Sequence, residues 1–259
     1  MTLLANTTTT AADEVFIPQY SARRVIGTWA AAAVPMGVLA WVGTPLLARA
    51  LEGPTAFSRA LILALTVGLS WQAVLVLWLV RREQGTLRWS VARRALWLQA
   101  PVSPRSGRRG GRMWWVLVPM TALFAAEELI PVLPHPASHD FSTLLSASAG
   151  HALLTSGPLW PAIVLVQMVL NTVLGEELLF RGLLLPRMSR TFGRWDWLVN
   201  GLLFATYHLH QPWTMPGALV DTFALAYPAR RYRSAVLSIL AHSSQSVFFA
   251  VAAAALLLG

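Results

Sequence analysis

The sequence contains no cysteine and no lysine. The lack of cysteine excludes disulfides, thiolate metal sites and a cysteine nucleophile. All 20 basic residues are arginines, and they face only 11 acidic residues. Charged residues make up 12% of the chain, about half of the roughly 25% that an average soluble domain carries. A water-soluble fold is therefore disfavoured.

What the chain has instead is apolar sequence, with 56% hydrophobic residues arranged in long uncharged runs. This pattern predicts an all-α, polytopic membrane protein with a single membrane domain. The fifth and sixth of the apolar segments are shorter than the roughly 20 residues of a full span. The seven predicted transmembrane segments are Val25–Ala48, Ala60–Val80, Met113–Leu133, Leu159–Leu185, Trp197–His210, Pro216–Tyr227 and Ala235–Leu258.

The placement of the arginines predicts an orientation. With the N-terminus in the cytosol, nine arginines between residues 81 and 112 lie inside, whereas only Arg49 and Arg59 lie outside. The positive-inside rule then favours seven crossings, with the C-terminus outside. The net charge of +9 is explained by this topology, so we expect membrane lipid rather than nucleic acid as a partner. The arginine- and alanine-rich composition favours a bacterial cell membrane.

The predicted organisation is a polar N-terminal tail, residues 1–24, followed by a helical membrane domain, residues 25–259. Within the domain, residues 81–112 form a basic cytosolic loop. Apolar residues recur at helical spacing in the first part of this loop, between Leu87 and Leu98. This spacing predicts a short helix that lies on the membrane interface.

Three separated apolar segments carry polar residues at membrane depth. The first contains Glu176, Glu177 and Arg181, the second His208 and the third His242. At 1.5 Å per helical residue, the first glutamate and the two histidines lie about 18, 20 and 14 Å from the predicted cytosolic ends of their segments. The similar depths predict one buried site, open toward the cytosolic side.

The residue types suggest hydrolytic chemistry. Glu176, His208 and His242 can hold a divalent metal, most simply Zn²⁺, and leave a position open for water. The metal would activate that water and polarise a scissile carbonyl. A metal-free version, in which a buried glutamate takes the proton from water, stays open. So do structural roles, with the histidines as interhelical hydrogen-bonding groups and the acidic pair as an ion-paired lock.

The two glutamates have different expected roles. Arg181 lies four residues after Glu177, on the same helical face, so the two charges can neutralise each other. Glu176 points about 100° away. We therefore expect Glu176 to be the catalytic carboxylate and Glu177–Arg181 to be the supporting pair.

The ordered motifs resemble those of the CPBP family of intramembrane proteases, also called the ABI or CAAX-protease-like family. The stretch from Glu176 to Arg181 resembles the EExxxR motif, Phe204 to His208 the FxxxH motif, and His242 begins an HxxxN-type motif. Ser246 stands where that last motif usually has asparagine. The resemblance covers residues 159–258. By resemblance, the catalytic residues are Glu176, Glu177, Arg181, His208, His242 and Ser246.

The resemblance implies hydrolysis of a peptide bond in a membrane-associated protein or peptide. The family is commonly described as metalloproteases, although a metal-free glutamate mechanism is also argued for it. The serine at position 246 favours a second hypothesis, a non-catalytic membrane scaffold or a bacteriocin-immunity-type protein that keeps the fold. A third is a transporter that uses the buried carboxylates as a relay.

Other polar residues fit the site less well from sequence alone. The acidic pair that begins at Glu127 is expected at the outer membrane interface. His135 and His139 are expected in a surface loop, and His210 is expected to point roughly 200° away from the FxxxH histidine. Asp221 is a weak candidate for the site.

Overall fold

The fold is all-helical in the computed structural model, which describes residues 15–140 and 148–258. No β-strand forms within these ranges; Val102 and Arg109 make one isolated bridge. The α-helices are α1 (Ala22–Ala50), α2 (Ala56–Gln84), α3 (Trp89–Ala95), α4 (Leu117–Ala125), α5 (Ser148–Thr155), α6 (Leu159–Arg187), α7 (Ser189–Phe192), α8 (Asp196–Tyr207), α9 (Met215–Ala218), α10 (Tyr227–Tyr232) and α11 (Ala235–Leu258). Short 3₁₀ turns are Gly111–Val116, Ala126–Leu129, Ala137–His139, Gly193–Trp195 and Pro212–Thr214.

Helix α6 changes its winding in the middle. Residues Leu170–Leu184 form a π-helix before a last 3₁₀ turn. π-helical winding usually occurs as single turns and often marks functional sites. This long π segment carries the Glu-Glu pair. Two single π turns also occur among the described residues, Leu39–Gly43 within α1 and Thr222–Ala226 before α10.

Three helices, α1, α2 and α6, are long and apolar enough to cross a membrane. Each has 29 residues, which gives a length of about 44 Å for α2, where the winding is α-helical throughout. Helix α8 has only 12 residues, or about 18 Å, and the chain then turns and returns through α9 and α10. The seven predicted crossings are therefore not confirmed.

The π segment of α6 lies at the centre of the packing. Helices α2 and α11 both pack along it, and α8 contacts it from another side. Leu179, Phe180 and Leu183 are completely buried there. The segment that carries the acidic pair is thus enclosed by protein rather than lipid, which reduces the cost of placing charges at membrane depth.

Helix α8 approaches the π turn before α10 very closely. A Cβ atom built on Gly201 would lie 2.5 Å from the Thr222 Cβ. Only glycine permits this contact, because two carbon atoms that are not bonded to each other cannot come so near unless one of them is displaced. The close approach brings the end of α8, with His208, against the return segment.

Charged residues at the arginine-rich end of the bundle form a buried cluster. Arg187, which is completely buried, donates to Glu83 Oε2 at 2.8 and 2.9 Å. Arg24 and the Tyr20 hydroxyl donate to the same carboxylate. Burial, reinforced by the hydrogen bond to Glu83, raises the pKa of Tyr20 to about 12. The cluster fastens the segment before α1 to the ends of α2 and α6.

This cluster bears on two sequence-based predictions. Residues 1–14 of the predicted polar tail lie outside the described residues, and Tyr20 packs into the protein. Helix α3 ends at Ala95, earlier than the spacing of apolar residues predicts, and the carbonyl of Ala95 accepts from Arg187 at 3.1 Å. The last residue of α3 is therefore hydrogen-bonded to the last residue of α6.

Candidate active site

Glu176 lies on the π segment of α6 and is only 3% exposed. Its Oε1 lies 3.9 Å from His208 Nε2, and its Oε2 lies 3.8 Å from His242 Nε2. Three elements that are far apart in sequence thus bring one carboxylate and two imidazoles together. These spacings are too long for direct hydrogen bonds and suit groups that share a small bridging species.

His208 is the first residue after α8. Its Nδ1 lies 3.1 Å from the Phe204 carbonyl oxygen, which can only accept, so Nδ1 carries the proton. In the neutral ring Nε2 is then the acceptor and faces Glu176. The FxxxH spacing is explained by this bond, because one helical turn separates the carbonyl from the ring.

His242 is positioned by the second glutamate. Its Nδ1 lies 3.0 Å from Glu177 Oε1, and Arg181 Nη1 lies 3.0 Å from the same oxygen. Arg181 and Glu177 are completely buried, and the guanidinium carbon lies 4.0 Å from the centre of the Phe204 ring. The ion pair that the four-residue spacing predicts is present. It orients His242 so that Nε2 faces Glu176.

Ser246 lies one helical turn beyond His242 and lines the same cavity. Its hydroxyl is hydrogen-bonded to the Thr172 hydroxyl at 2.7 Å. The neighbouring amide, on Gln245, donates instead to Glu128 at 3.1 Å. Thr172 therefore fixes the hydroxyl that replaces the expected asparagine.

The donor set can be tested against a metal ion. Both histidines engage Nδ1 elsewhere and present Nε2 to Glu176, as metal-binding histidines commonly do. The 3.8 and 3.9 Å spacings exceed the roughly 3.3 Å edge of a tetrahedral zinc site by about half an ångström. Within the described ranges, no group of three or more metal-binding side chains has the arrangement of a formed site. The types of the donor atoms and the directions in which they face fit a metal ion. The distances between these atoms are wider than in a formed zinc site.

A cavity of about 520 Å³ opens onto Glu176, His208 and His242. It extends to the segment Ile130–Val132 and to His135. This segment follows α4 and lies at the opposite end of the bundle from the Glu83–Arg187 cluster. The described lining thus reaches the end opposite the arginine-rich cluster, and the opening toward the arginine-rich side stays a prediction. Periodicity gave the depth of the polar groups but could not show which end of the bundle is left unfilled.

Residues 158–248 match the family model described as type II CAAX prenyl endopeptidase Rce1-like. This part of the chain is a CAAX-protease-like domain of the CPBP family. No curated protein and no solved structure gives a significant match to the chain.

The CAAX-protease-like domain runs from the start of α6 into α11, so it contains all three motifs. Helices α1, α2 and α4 lie outside the matched residues, although all three contribute to the cavity wall. With its apolar helices and a membrane protease domain, the chain is an integral membrane protein.

Several residues that sequence reasoning set aside lie on the cavity wall. These are Glu127, Glu128, His135, His210 and Asp221. The helix ends at Tyr207, so the chain turns and His210 stacks on His208 at 5.6 Å rather than pointing away. Like Glu176, Glu127 is a carboxylate in an apolar run at similar predicted depth, and this pattern in the sequence could have indicated its place on the cavity wall.

The loop histidines are not simple surface residues. His139 is buried and stacks on Trp41 at 4.5 Å, and burial lowers its pKa. His135 stacks on Trp213 at 4.9 Å. His135 also lines the cavity. Only their aromatic partners, which are distant in sequence, determine this placement.

Proposed function

We propose that the chain is an intramembrane endopeptidase that hydrolyses a peptide bond in a membrane-associated protein or peptide. The observation that carries the proposal is the convergence of Glu176, His208 and His242 on one buried cavity. The family match supports it, because the matched model describes an endopeptidase. The substrate's carbonyl carbon would lie in the cavity beside the Glu176 carboxylate.

In the proposed reaction, Glu176 takes a proton from a water molecule held between its carboxylate and the two Nε2 atoms. The water oxygen adds to the peptide carbonyl carbon and forms a tetrahedral intermediate. The proton passes to the amide nitrogen as the C–N bond breaks. The products are a carboxylic acid and an amine, so atoms and charge balance.

His242 has a second part in this scheme. The buried Glu177 carboxylate stabilises positive charge on its ring during the reaction, as a carboxylate behind a histidine does in hydrolase triads. A protonated Nε2 can then donate to the oxyanion of the intermediate. Such a donor typically contributes about 10²–10³-fold to the rate.

Metal activation is an alternative form of the proposal, in which the Nε2 atoms of His208 and His242 would bind an ion and carry no proton. Glu176, His208 and His242 are the residues that would hold a divalent ion, most simply Zn²⁺, and the ion would supply Lewis-acid polarisation of the carbonyl. The outward-facing Nε2 atoms support this form. Mass-spectrometric metal analysis of the purified protein, with His242→Ala as comparison, tests it separately from activity. We expect about one metal ion per chain, lost in the variant.

The function itself is tested by proteolysis in liposomes. We expect Glu176→Gln, His208→Ala and His242→Ala each to lower cleavage of a membrane substrate by at least about 10³-fold, because each removes a group from the reacting centre. The matched controls are Glu52→Gln and His151→Ala, which change exposed residues outside the cavity.

Wild-type cleavage rates in all three site variants would overturn the assignment. If a cellular phenotype of the protein survived Glu176→Gln while the purified wild type cleaved nothing, the scaffold hypothesis would replace the protease. Correct folding of each variant is checked by its thermal unfolding midpoint.

A further inference from the structure

The cavity wall has a charge pattern that the proposed hydrolysis does not use. Beyond Glu176 it carries the carboxyl groups of Glu127, Glu128, Asp140 and Asp221. No arginine belongs to the lining formed by the described residues, although the chain has almost twice as many basic as acidic residues. The cavity lining is therefore rich in carboxyl groups, in a protein with an excess of basic residues.

Two of these carboxylates lie close together beside the return segment. A Cβ atom on Gly217 would lie 3.0 Å from Glu127 Oε1, so the carboxylate rests directly on α9. Asp221 follows Gly217 by four residues, just past the end of α9. The wall thus presents two acidic groups from different elements on the same side of the cavity.

Asp221 indicates that this side is built for a ligand. The residue is only 2% exposed, and its Oδ1 has no hydrogen-bond partner among the described residues. Nδ1 of His210, 7% exposed and on the same wall, also lacks a partner within the described part of the chain. Leaving a buried polar atom unpaired costs free energy, and a donor brought by a ligand would remove that cost.

We infer that the cavity selects a cationic substrate segment, with a lysine or arginine side chain next to the scissile bond held by Asp221 and Glu127. A cationic donor satisfies the unpaired Asp221 oxygen and is attracted by the surrounding carboxylates. The inference names the substrate class of the proposed protease and so rests on that function. A free C-terminal carboxylate would be repelled by the same wall, since no arginine among the described residues belongs to the lining.

Binding tests the inference without requiring turnover. The full chain in phosphatidylcholine nanodiscs is titrated against two fluorescent, N-acetylated and C-terminally amidated peptides that differ only in a central lysine or norleucine. We expect the lysine peptide to bind at least about tenfold more tightly, as for a charge-assisted hydrogen bond in a partly dry site. Nanodiscs without protein give the lipid background.

Variants test whether Asp221 and Glu127 cause the preference for the lysine peptide. Asp221→Asn and Glu127→Gln should each reduce the preference for lysine to about threefold or less, because each removes one of the two charges. Asp221→Glu should largely keep it, and Glu52→Gln is the matched control with the same charge change outside the cavity. A peptide with a free C-terminal carboxylate should bind more weakly than its amide.

The outcomes separate this inference from the proposed function. Equal affinities for the lysine and norleucine peptides in the wild type would overturn the inference, even if the protein cleaves both. A lysine preference that survives both Asp221→Asn and Glu127→Gln would also overturn it. Absence of cleavage together with an Asp221-dependent preference would sustain the cationic site and overturn the protease.

Discussion

At the scale of single residues, spacing in the sequence carries real information about the site. Glu177 and Arg181 are four residues apart and form the expected ion pair, which leaves Glu176 facing the histidines. From the sequence, Asp221 is a weak candidate for the site and Glu127 is expected at the outer membrane interface. Their contacts depend on how α4 and the return segment meet. Local spacing predicts partners on one helix and not those across the cavity.

The buried pair gives a prediction about stability. Glu177→Gln leaves the completely buried Arg181 charge without its partner, and we expect the free energy of unfolding to fall by about 3–5 kcal/mol. The double variant Glu177→Gln with Arg181→Met should lose less than the single variant, since no uncompensated charge remains. Reversible unfolding in mixed micelles measures both, and a double variant less stable than Glu177→Gln would contradict this account.

Tyr20 gives a prediction about alkaline pH. Its pKa is raised to about 12 from an ordinary 10.0 in the folded protein, so the folded state holds the proton more tightly than the unfolded state. The stabilisation is complete below pH 10 and is lost as the pH rises toward 12. The chain has no lysine, and arginine stays charged in this range, so few other groups titrate.

Thermal unfolding midpoints between pH 8 and 12 measure this effect. The wild type should lose stability above pH 10, whereas Tyr20→Phe should show a shallower decline from a lower starting value. Tyr227→Phe, at a half-exposed tyrosine, is the comparison and should follow the wild-type profile. Parallel curves for wild type and Tyr20→Phe would argue against the buried cluster.

At the scale of elements, the sequence predicts helices well and their winding poorly. The apolar runs correspond to α1, α2 and α6, with ends within a few residues of those expected. The π-helix from Leu170 to Leu184 was not predictable from side chains. The same residues suit an α-helix, and in the fold the π segment packs against α2 and α11.

Close packing of α8 makes a second stability prediction. Gly201→Ala would place a methyl group 2.5 Å from the Thr222 Cβ, and we expect a loss of about 1–3 kcal/mol from the forced displacement. Gly27→Ala is the matched control, because a Cβ on this α1 glycine meets nothing within 4 Å. It should leave stability unchanged or raise it slightly. Equal unfolding free energies for the two variants would refute the close approach.

At the scale of the whole molecule, charge predicts an orientation, and packing determines which end of the bundle is open. The arginine clusters favour a cytosolic location for residues 81–112. The cavity extends to the other end, toward Ile130–Val132. No periodicity or charge rule predicts this, since the opening depends on where α8 stops and the return segment begins.

Reporter fusions test the orientation. A fluorescent protein that matures only in the cytosol should be active when fused after Arg105 and inactive after Ala137. A phosphatase that requires export should give the reverse. The same result at both positions would show that the arginine distribution does not set the topology of this chain.

The three chemical groups also enter the structure in a fixed order. Glu176 arrives with α6, His208 after α8, and His242 only with α11, and insertion of a growing chain proceeds from its N-terminal side. The reacting centre stays incomplete until this last helix has packed against the π segment. For the proposed protease, this order of assembly means that a partly synthesised copy would have no means to hydrolyse its neighbours in the membrane until the fold is in place.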